Sequence, residues 1–214
     1  MTFRWKLAQY FEIRWWRRYL RDKDVSAYID WKKTYWHNFL KKAALEVPLG
    51  ASVLDAGCGP AGIFMVLDGR QVEALDPLLG QYERALAHFR RRDYPGICFV
   101  EGALETFEPP TLYDWVFCLN ALNHVANLEH CVDRLAALTA PGGTLVISVD
   151  VHNHLWLKRL FRAFPGDVLH PHQHDLKEYG HLLEHCGCKV VKTLCLKKEE
   201  IFSYYLLVVQ KSGI

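Results

Sequence analysis

The chain has 214 residues, 50% of them hydrophobic, and a formal net charge of +2. This length is enough for one α/β domain with a substantial core. No apolar run approaches the ~20 residues that cross a bilayer. Charges interrupt the N-terminus throughout, which argues against a secretory signal, and the seven cysteines form no regular framework. A reducing, cytoplasmic setting is expected.

The charge is unevenly placed. The first 45 residues hold Arg4, Lys6, Arg14, Arg17, Arg18, Arg21, Lys23, Lys32, Lys33, Lys41 and Lys42, together with Trp5, Trp15, Trp16, Trp31 and Trp36. Apolar side chains at helical spacing predict two helices, one with the stripe Ala8, Phe11, Trp15 and Tyr19, the next with Tyr28, Trp31, Tyr35 and Phe39. Asp24 suits the second helix as its N-cap. Three readings stay open for this segment: a helical cover on the core, a lid whose aromatics shape an apolar acceptor site, or an interfacial helix meeting anionic lipid. Nucleic acid is not expected, because the basic residues are matched by many apolar ones and no recognition motif occurs.

Strands are expected at Ser52–Ala56, Val72–Leu75, Ile97–Val100, Trp115–Leu119 and Thr144–Val149, with helical stretches at Ile63–Leu67, Leu79–Arg91 and Leu128–Thr139 between them. Such alternation implies parallel strands joined by crossover helices. A helix near Leu176–His185 and strands Lys189–Cys195 and Tyr204–Val209 follow, with Glu199 and Glu200 in the last connection. Cys98 and Cys118 fall in strands expected in the core, and Cys186-Gly187-Cys188 reads as a helix end rather than a zinc knuckle.

The segment Val53-Leu54-Asp55-Ala56-Gly57-Cys58-Gly59-Pro60-Ala61-Gly62 carries the chemistry. It reads as a buried strand running into a glycine loop with G-x-G-x-x-G spacing. Glycines there allow a tight turn and close approach of a ligand to the backbone. Asp55 brings negative charge that repels a pyrophosphate but attracts an ammonium or sulfonium group. Pro60 removes an N–H that a phosphate cradle could use. Asp76 stands ~20 residues beyond the first glycine, where a carboxylate can accept ribose hydroxyls. The structural alternatives are a turn or cap role for Asp55, and for Asp76 the opening of the helix after Pro77.

With these residues the chain resembles the class I S-adenosylmethionine (SAM) dependent methyltransferases. Val-Leu-Asp-x-Gly-Cys-Gly-x-x-Gly resembles their first motif and Glu73-Ala74-Leu75-Asp76 their ribose-binding motif. Gly102-Ala103-Leu104 lies where that family touches adenine. Tyr113 to Val125 resembles the fourth strand and the segment after it, and Pro141-Gly142-Gly143-Thr144-Leu145 the turn into the fifth. The resemblance covers roughly residues 48–150. It implies an α/β fold: a Rossmann-like, seven-stranded, mostly parallel sheet with helices on both faces, an antiparallel C-terminal strand pair and an N-terminal helical extension. Residues 1–45 then form a helical cap or lid, and residues 46–214 the SAM-binding domain. The cofactor-binding residues it implies are Asp55, Gly57, Gly59, Asp76, Ala103, Leu104 and Asn120.

Histidine placement is the second unusual feature. Five of eleven histidines fall within residues 152–174, after the fifth strand and so at the ligand-binding edge of such a sheet. His170, His172 and His174 point to one side of an extended loop, and His152 and His154 share that spacing. Neutral imidazoles suit Fe, Zn, Ni or Cu and do not suit magnesium. A metal site built from His152, His154, His170, His172 and His174 is one reading. General-base catalysis by His154, His170 or His174 is another. A polar surface loop is the third. His124 after the fourth strand is a wall or catalytic candidate.

The expected function is methyl transfer from SAM to oxygen or carbon of a small-molecule acceptor of apolar or aromatic character. Two alternatives are a nicotinamide-dependent oxidoreductase, which shares the glycine spacing, and a non-catalytic SAM- or metal-binding module.

Overall fold

Short buried strands alternate with helices along the chain. The computed structural model describes residues 3–122, 125, 127–152, 176–198 and 202–213. They group into two compact units, Met1–Phe107 and Glu108–Ile214.

The first unit holds α1 (Phe3–Leu20), α2 (Val25–Ala43), β1 (Ser52–Ala56), β2 (Gln71–Leu75), α3 (Leu79–Ala85) and β3 (Ile97–Val100), with 3-10 turns at Ile63–Val66, Arg91–Asp93 and Leu104–Thr106. The second holds β4 (Tyr113–Leu119), α4 (Leu128–Leu138), β5 (Thr139–His152), α5 (Leu176–His185), β6 (Cys188–Lys198) and β7 (Phe202–Lys211). The sheet order is β3-β2-β1-β4-β5-β7-β6. The pairs β1·β2, β2·β3 and β4·β5 are parallel, and β5·β7 and β6·β7 are antiparallel. This is the sheet that the resemblance implies.

In the first unit β1 is buried from Val53 to Ala56, as a strand covered on both faces must be. Phe64, Phe89, Tyr94 and Phe99 pack edge to face in the same unit. Helix α3 stops at Ala85, short of the expected Arg91. Arg90 accounts for the stop: Nη1 donates to the carbonyls of Glu83, Leu86 and Phe89 at 2.6, 2.6 and 2.8 Å. A guanidinium thus takes the place of the next helical turn in satisfying those acceptors. Cys98, expected in the core, is exposed on β3.

Asp24 caps α2 as expected, accepting from the Ala27 N–H at 2.9 Å. The two apolar stripes are partly corrected. On α1, Phe11 and Trp15 face solvent, and the inward face runs through Glu12, Ile13, Trp16 and Leu20. On α2, Tyr28 and Phe39 are buried as expected, but Trp31 and Tyr35 are exposed and Trp36 is buried instead. The pairs Trp15-Trp16 and Tyr35-Trp36 create overlapping stripes about 100° apart. Periodicity alone cannot choose between such stripes.

In the second unit Val116, Phe117, Leu135, Leu145, Ile147, Tyr179, Leu183 and Leu206 are buried. β5 begins five residues earlier than expected. Its register against β4 jumps between Tyr113↔Thr139 and Trp115↔Thr144, so the Pro141-Gly142-Gly143 segment is a bulge held within the strand. Gly142 there has φ 73°. Gly187, at φ 71°, ends α5 by donating to the Glu184 carbonyl, which fits the helix-end reading of Cys186-Gly187-Cys188. Glu199 and Glu200 lie outside the described residues. Among the described residues no helix is long and apolar enough to cross a membrane.

Candidate cofactor site

The glycine loop leaves β1 at Ala56 and is tied to the end of β2. The Gly57 and Cys58 N–H groups donate to the Leu75 carbonyl at 2.8 and 3.1 Å. Gly57 and Gly59 have φ values of 71° and 58°, left-handed conformations that side chains strain. Gly62 is required for a different reason. A Cβ there would lie 2.4 Å from Asp55 Oδ2 and 2.6 Å from the Cys58 carbonyl oxygen.

The two aspartates hold this loop from both sides. Asp76 Oδ2 accepts the Gly59 N–H at 2.9 Å, and Oδ1 accepts the Leu78 N–H at 2.8 Å. Asp76 therefore opens the turn after Pro77 and also reaches the glycine loop. Asp55 Oδ2 accepts the Phe64 N–H at 3.1 Å, which caps the 3-10 turn Ile63–Val66. The cap reading weighed for Asp55 is thus realised. Its carboxylate nevertheless stays at the loop, because Gly62 leaves it room.

Both carboxyls are buried, and burial pushes each up to about 7. For Asp76 the charge of Glu12 adds to the rise, and the N–H bonds from Leu78 and Gly59 oppose it. For Asp55 the opposing influences are N–H bonds from Phe64 and Ile63 and the charge of Lys32. Burial in turn pulls the Lys32 ammonium down to about 8, against the field of Asp55. Lys32 Nζ lies 4.6 and 4.8 Å from the ring centroids of Tyr35 and Trp36, so the ring faces attract its charge. Burial and the two aspartates also hold the Cys58 thiol well above its ordinary value, which makes it inert.

The N-terminal helices contribute to this site. Trp36 Nε1 donates to the Ala61 carbonyl at 3.0 Å, fixing the loop from α2. Trp16 of α1 approaches Gly59; a Cβ on that glycine would be 4.0 Å from Trp16 Cζ2. The buried Tyr82 hydroxyl donates to Glu12 Oε1 at 2.5 Å. Gln9 Nε2, on the same side of α1, is buried with no hydrogen-bond partner among the described residues. No motif marks Glu12, Trp16, Trp36 or Tyr82. The one available signal is general: a buried indole or phenol must find a partner for its polar atom.

The Gly102 N–H donates to the Asp76 carbonyl at 3.4 Å, which brings the Ala103-Leu104 segment beside the ribose candidate. Leu104 is buried and opens the 3-10 turn. In the second unit Asn120 has φ 57°, and its N–H donates to Ser148 Oγ at 2.8 Å. Ser148 Oγ in turn meets the Tyr204 hydroxyl at 2.5 Å. A non-glycine residue held in that conformation costs of order 1 kcal/mol and tends to mark a functional loop.

His124, His154, His170, His172 and His174 lie outside the described residues. His152 ends β5, opposite Phe202. Among the described residues no group of three or more His, Cys, Asp or Glu is placed to hold a metal ion.

Comparison with known proteins identifies the family. An O-methyltransferase of ubiquinone biosynthesis from Rickettsia prowazekii is 33% identical over 98 residues, which are 45% of this chain and 38% of that protein. A trans-aconitate 2-methyltransferase from Methylobacterium nodulans is 32% identical over 124 residues, 57% of this chain and 48% of that one. This chain thus spans less than half the length of these curated relatives. The crystal structure of magnesium protoporphyrin IX methyltransferase from Synechocystis PCC 6803 with bound SAM superposes with a TM-score of 0.64 at 18% identity, covering 99% of this chain and 98% of that one. Residues 28–193 match the family described as Methyltransferase domain, and the chain belongs to that family.

Proposed function

We propose that the chain binds SAM and transfers its methyl group to an oxygen or carbon of a small-molecule acceptor. The observation that carries this reading is the Asp76 carboxylate, buried against the Gly59 N–H of a loop with two left-handed glycines. The donor set fits SAM better than a dinucleotide. Asp55, Asp76 and Glu12 put negative charge around the loop, which favours a sulfonium over a pyrophosphate. That same charge argues against the nicotinamide-dependent alternative. The methyltransferase relatives support the reading. One serves ubiquinone biosynthesis and the other is named for trans-aconitate, and both names point to small-molecule chemistry.

Bound SAM supplies a methyl carbon already activated by its cationic sulfur. The chain's residues bind, orient and exclude water. Asp76 would take the ribose hydroxyls, and Ala103 and Leu104 would meet the adenine. Gly57 and Gly59 would lie against the amino-acid end, Asp55 would supply counter-charge, and Asn120 would offer backbone to the methionine moiety. Alignment of the acceptor in line with the carbon–sulfur bond supplies much of the acceleration. The sulfonium would supply both the methyl carbon for attack by the acceptor and the leaving group, a neutral thioether. The acceptor proton leaves to a base, and we assign that task to His154, His170 or His174. Brought together with His152 and His172, their imidazoles would also suit Fe, Zn, Ni or Cu. The seven cysteines form no disulfide, which fits a reducing compartment such as the cytoplasm.

Calorimetric titration with SAM, S-adenosylhomocysteine and NAD tests the cofactor. Binding of both adenosyl ligands and no response to NAD is expected; NAD binding without SAM binding would overturn the reading. Replacing His170, His172 and His174 together by alanine should cut turnover roughly 10²–10⁴-fold with SAM affinity kept. Full activity in that variant removes the histidines from the mechanism. Elemental analysis of the wild type against the same variant separates a metal site from metal-free base catalysis.

A further inference from the structure

The outward sides of α1 and α2 carry a feature that the cofactor site does not use. Trp15 is 54% exposed, Trp31 51%, Tyr10 54% and Phe11 43%. These rings are not scattered. Trp15 stacks on Tyr19 with centroids 4.9 Å apart and planes 5° from parallel. Contacts then run from Tyr19 to Tyr28 at 6.2 Å, Tyr28 to Trp31 at 5.8 Å and Trp31 to Tyr35 at 6.0 Å. An aromatic ladder therefore crosses from one helix to the other. Midway along it opens a cleft of about 340 Å³ lined by Tyr19, Lys23, Asp24, Ala27, Tyr28 and Trp31. A contiguous patch of this kind is a surface built to be covered.

Charge identifies what covers it. Arg14 and Arg18 are exposed on the same side of α1 as Phe11 and Trp15, and the exposed Arg17 stands at its flank. The one acidic residue of that helix, Glu12, is turned inward onto Tyr82. Residues 1–45 hold eleven of the chain's 26 Lys and Arg but only four of its 24 Asp and Glu. Interleaved tryptophan, tyrosine and arginine on one helical face is the pattern of a helix lying in a membrane–water interface. There amphipathic rings sit at headgroup depth and cations meet lipid phosphate. No helix among the described residues could instead span the bilayer.

We propose that the outer face of α1 and α2 is a peripheral docking surface for an anionic phospholipid bilayer. Trp15, Trp31, Tyr10 and Phe11 enter the interface, and Arg14 and Arg18 meet the phosphates. The proposal stands independently of the cofactor reading, since none of these side chains holds the glycine loop.

The test is co-sedimentation of the full chain with vesicles of phosphatidylcholine alone and of phosphatidylcholine mixed with phosphatidylglycerol. Binding to the mixed vesicles only, weakened by salt, is expected. Trp15→Ala with Trp31→Ala, and separately Arg14→Glu with Arg18→Glu, should each lower partitioning roughly tenfold or more with the circular dichroism spectrum unchanged. Equal binding to both vesicle types overturns the proposal, as does wild-type binding by the double tryptophan variant. A dimer lost in that variant without vesicle binding would make the face a contact between copies of this chain. Oligonucleotide binding lost in the arginine variant, again without vesicle binding, would make it a nucleic-acid surface; either result also overturns the proposal.

Discussion

The glycine loop and the N-terminal helix pair belong to the same unit, yet they encode structure in opposite ways. In the loop each residue is singular. Gly57 and Gly59 are needed for backbone conformation, Gly62 for space beside Asp55, and Asp76 for two N–H groups. In the helices residue types repeat, and position decides their use. Trp16 approaches Gly59 while Trp15, one residue away, faces solvent. Trp36 pins Ala61 while Tyr35 stays exposed. A motif is legible where chemistry restricts the residue type. It is not legible where several aromatics would serve the helix equally well.

The comparison breaks most visibly at Gly62. Gly62→Ala should destabilise the fold by about 3 kcal/mol, because its methyl overlaps the Asp55 carboxylate and the Cys58 carbonyl oxygen. Urea denaturation measures this. A loss below about 1 kcal/mol, a range in which core swaps are commonly tolerated, would mean that the loop relaxes and that Gly62 is not singular. Asp76→Asn tests the neighbouring claim. The amide would turn a donor toward the Gly59 or Leu78 N–H and lose the charge-assisted bonds. SAM affinity should fall by about 2 kcal/mol, roughly thirtyfold in Kd. Unchanged titration calorimetry would show that Asp76 serves the turn alone.

Much of the fold was readable because periodicity and motif agreed. β1, β3 and the helix Leu128–Leu138 appear with the expected bounds to within a residue. The shortened α3 was not readable. Its sequence continues a helical pattern through Phe89, and only the folded chain brings Arg90 back onto its carbonyls. The site divides in the same way. Asp55 and Asp76 stand out by spacing. Glu12, Trp36 and Tyr82 reach the site across 70, 25 and 70 residues of sequence separation in their hydrogen bonds, and no local pattern records such a partner.

Trp36→Phe asks whether the helix pair is part of the site or a cover on it. The ring and its packing with Phe39 survive, but the Ala61 carbonyl loses its donor. Stability should drop by about 1–2 kcal/mol. If α2 positions the loop, SAM binding should weaken as well. An unchanged Kd beside the lost stability would reduce α2 to a cover and widen the contrast between the two regions.

The smallest expected effect is the most informative about electrostatics. Asp55 and Asp76 have carboxyls raised from 3.8 to about 7 by burial. The ligand-free fold therefore holds protons that the unfolded chain releases near pH 4, and it loses stability as pH rises from there to about 7. SAM, which is cationic, favours the ionised carboxylates. Its affinity should accordingly rise with pH through about 7 and level off above, with protons released on binding that calorimetry in buffers of different ionisation enthalpy can count. Glu12 is one cause of the rise at Asp76 and does not act on Asp55 to a comparable degree. Glu12→Gln keeps an acceptor for the Tyr82 hydroxyl but removes the charge. The midpoint of the affinity profile should then move to lower pH, and the plateau above pH 8 should fall modestly as the loop loses one of its negative charges. A midpoint that stays in place would mean that α1 touches the loop without shaping its field. The N-terminal helices would then contribute to the site only through packing and the Trp36 hydrogen bond.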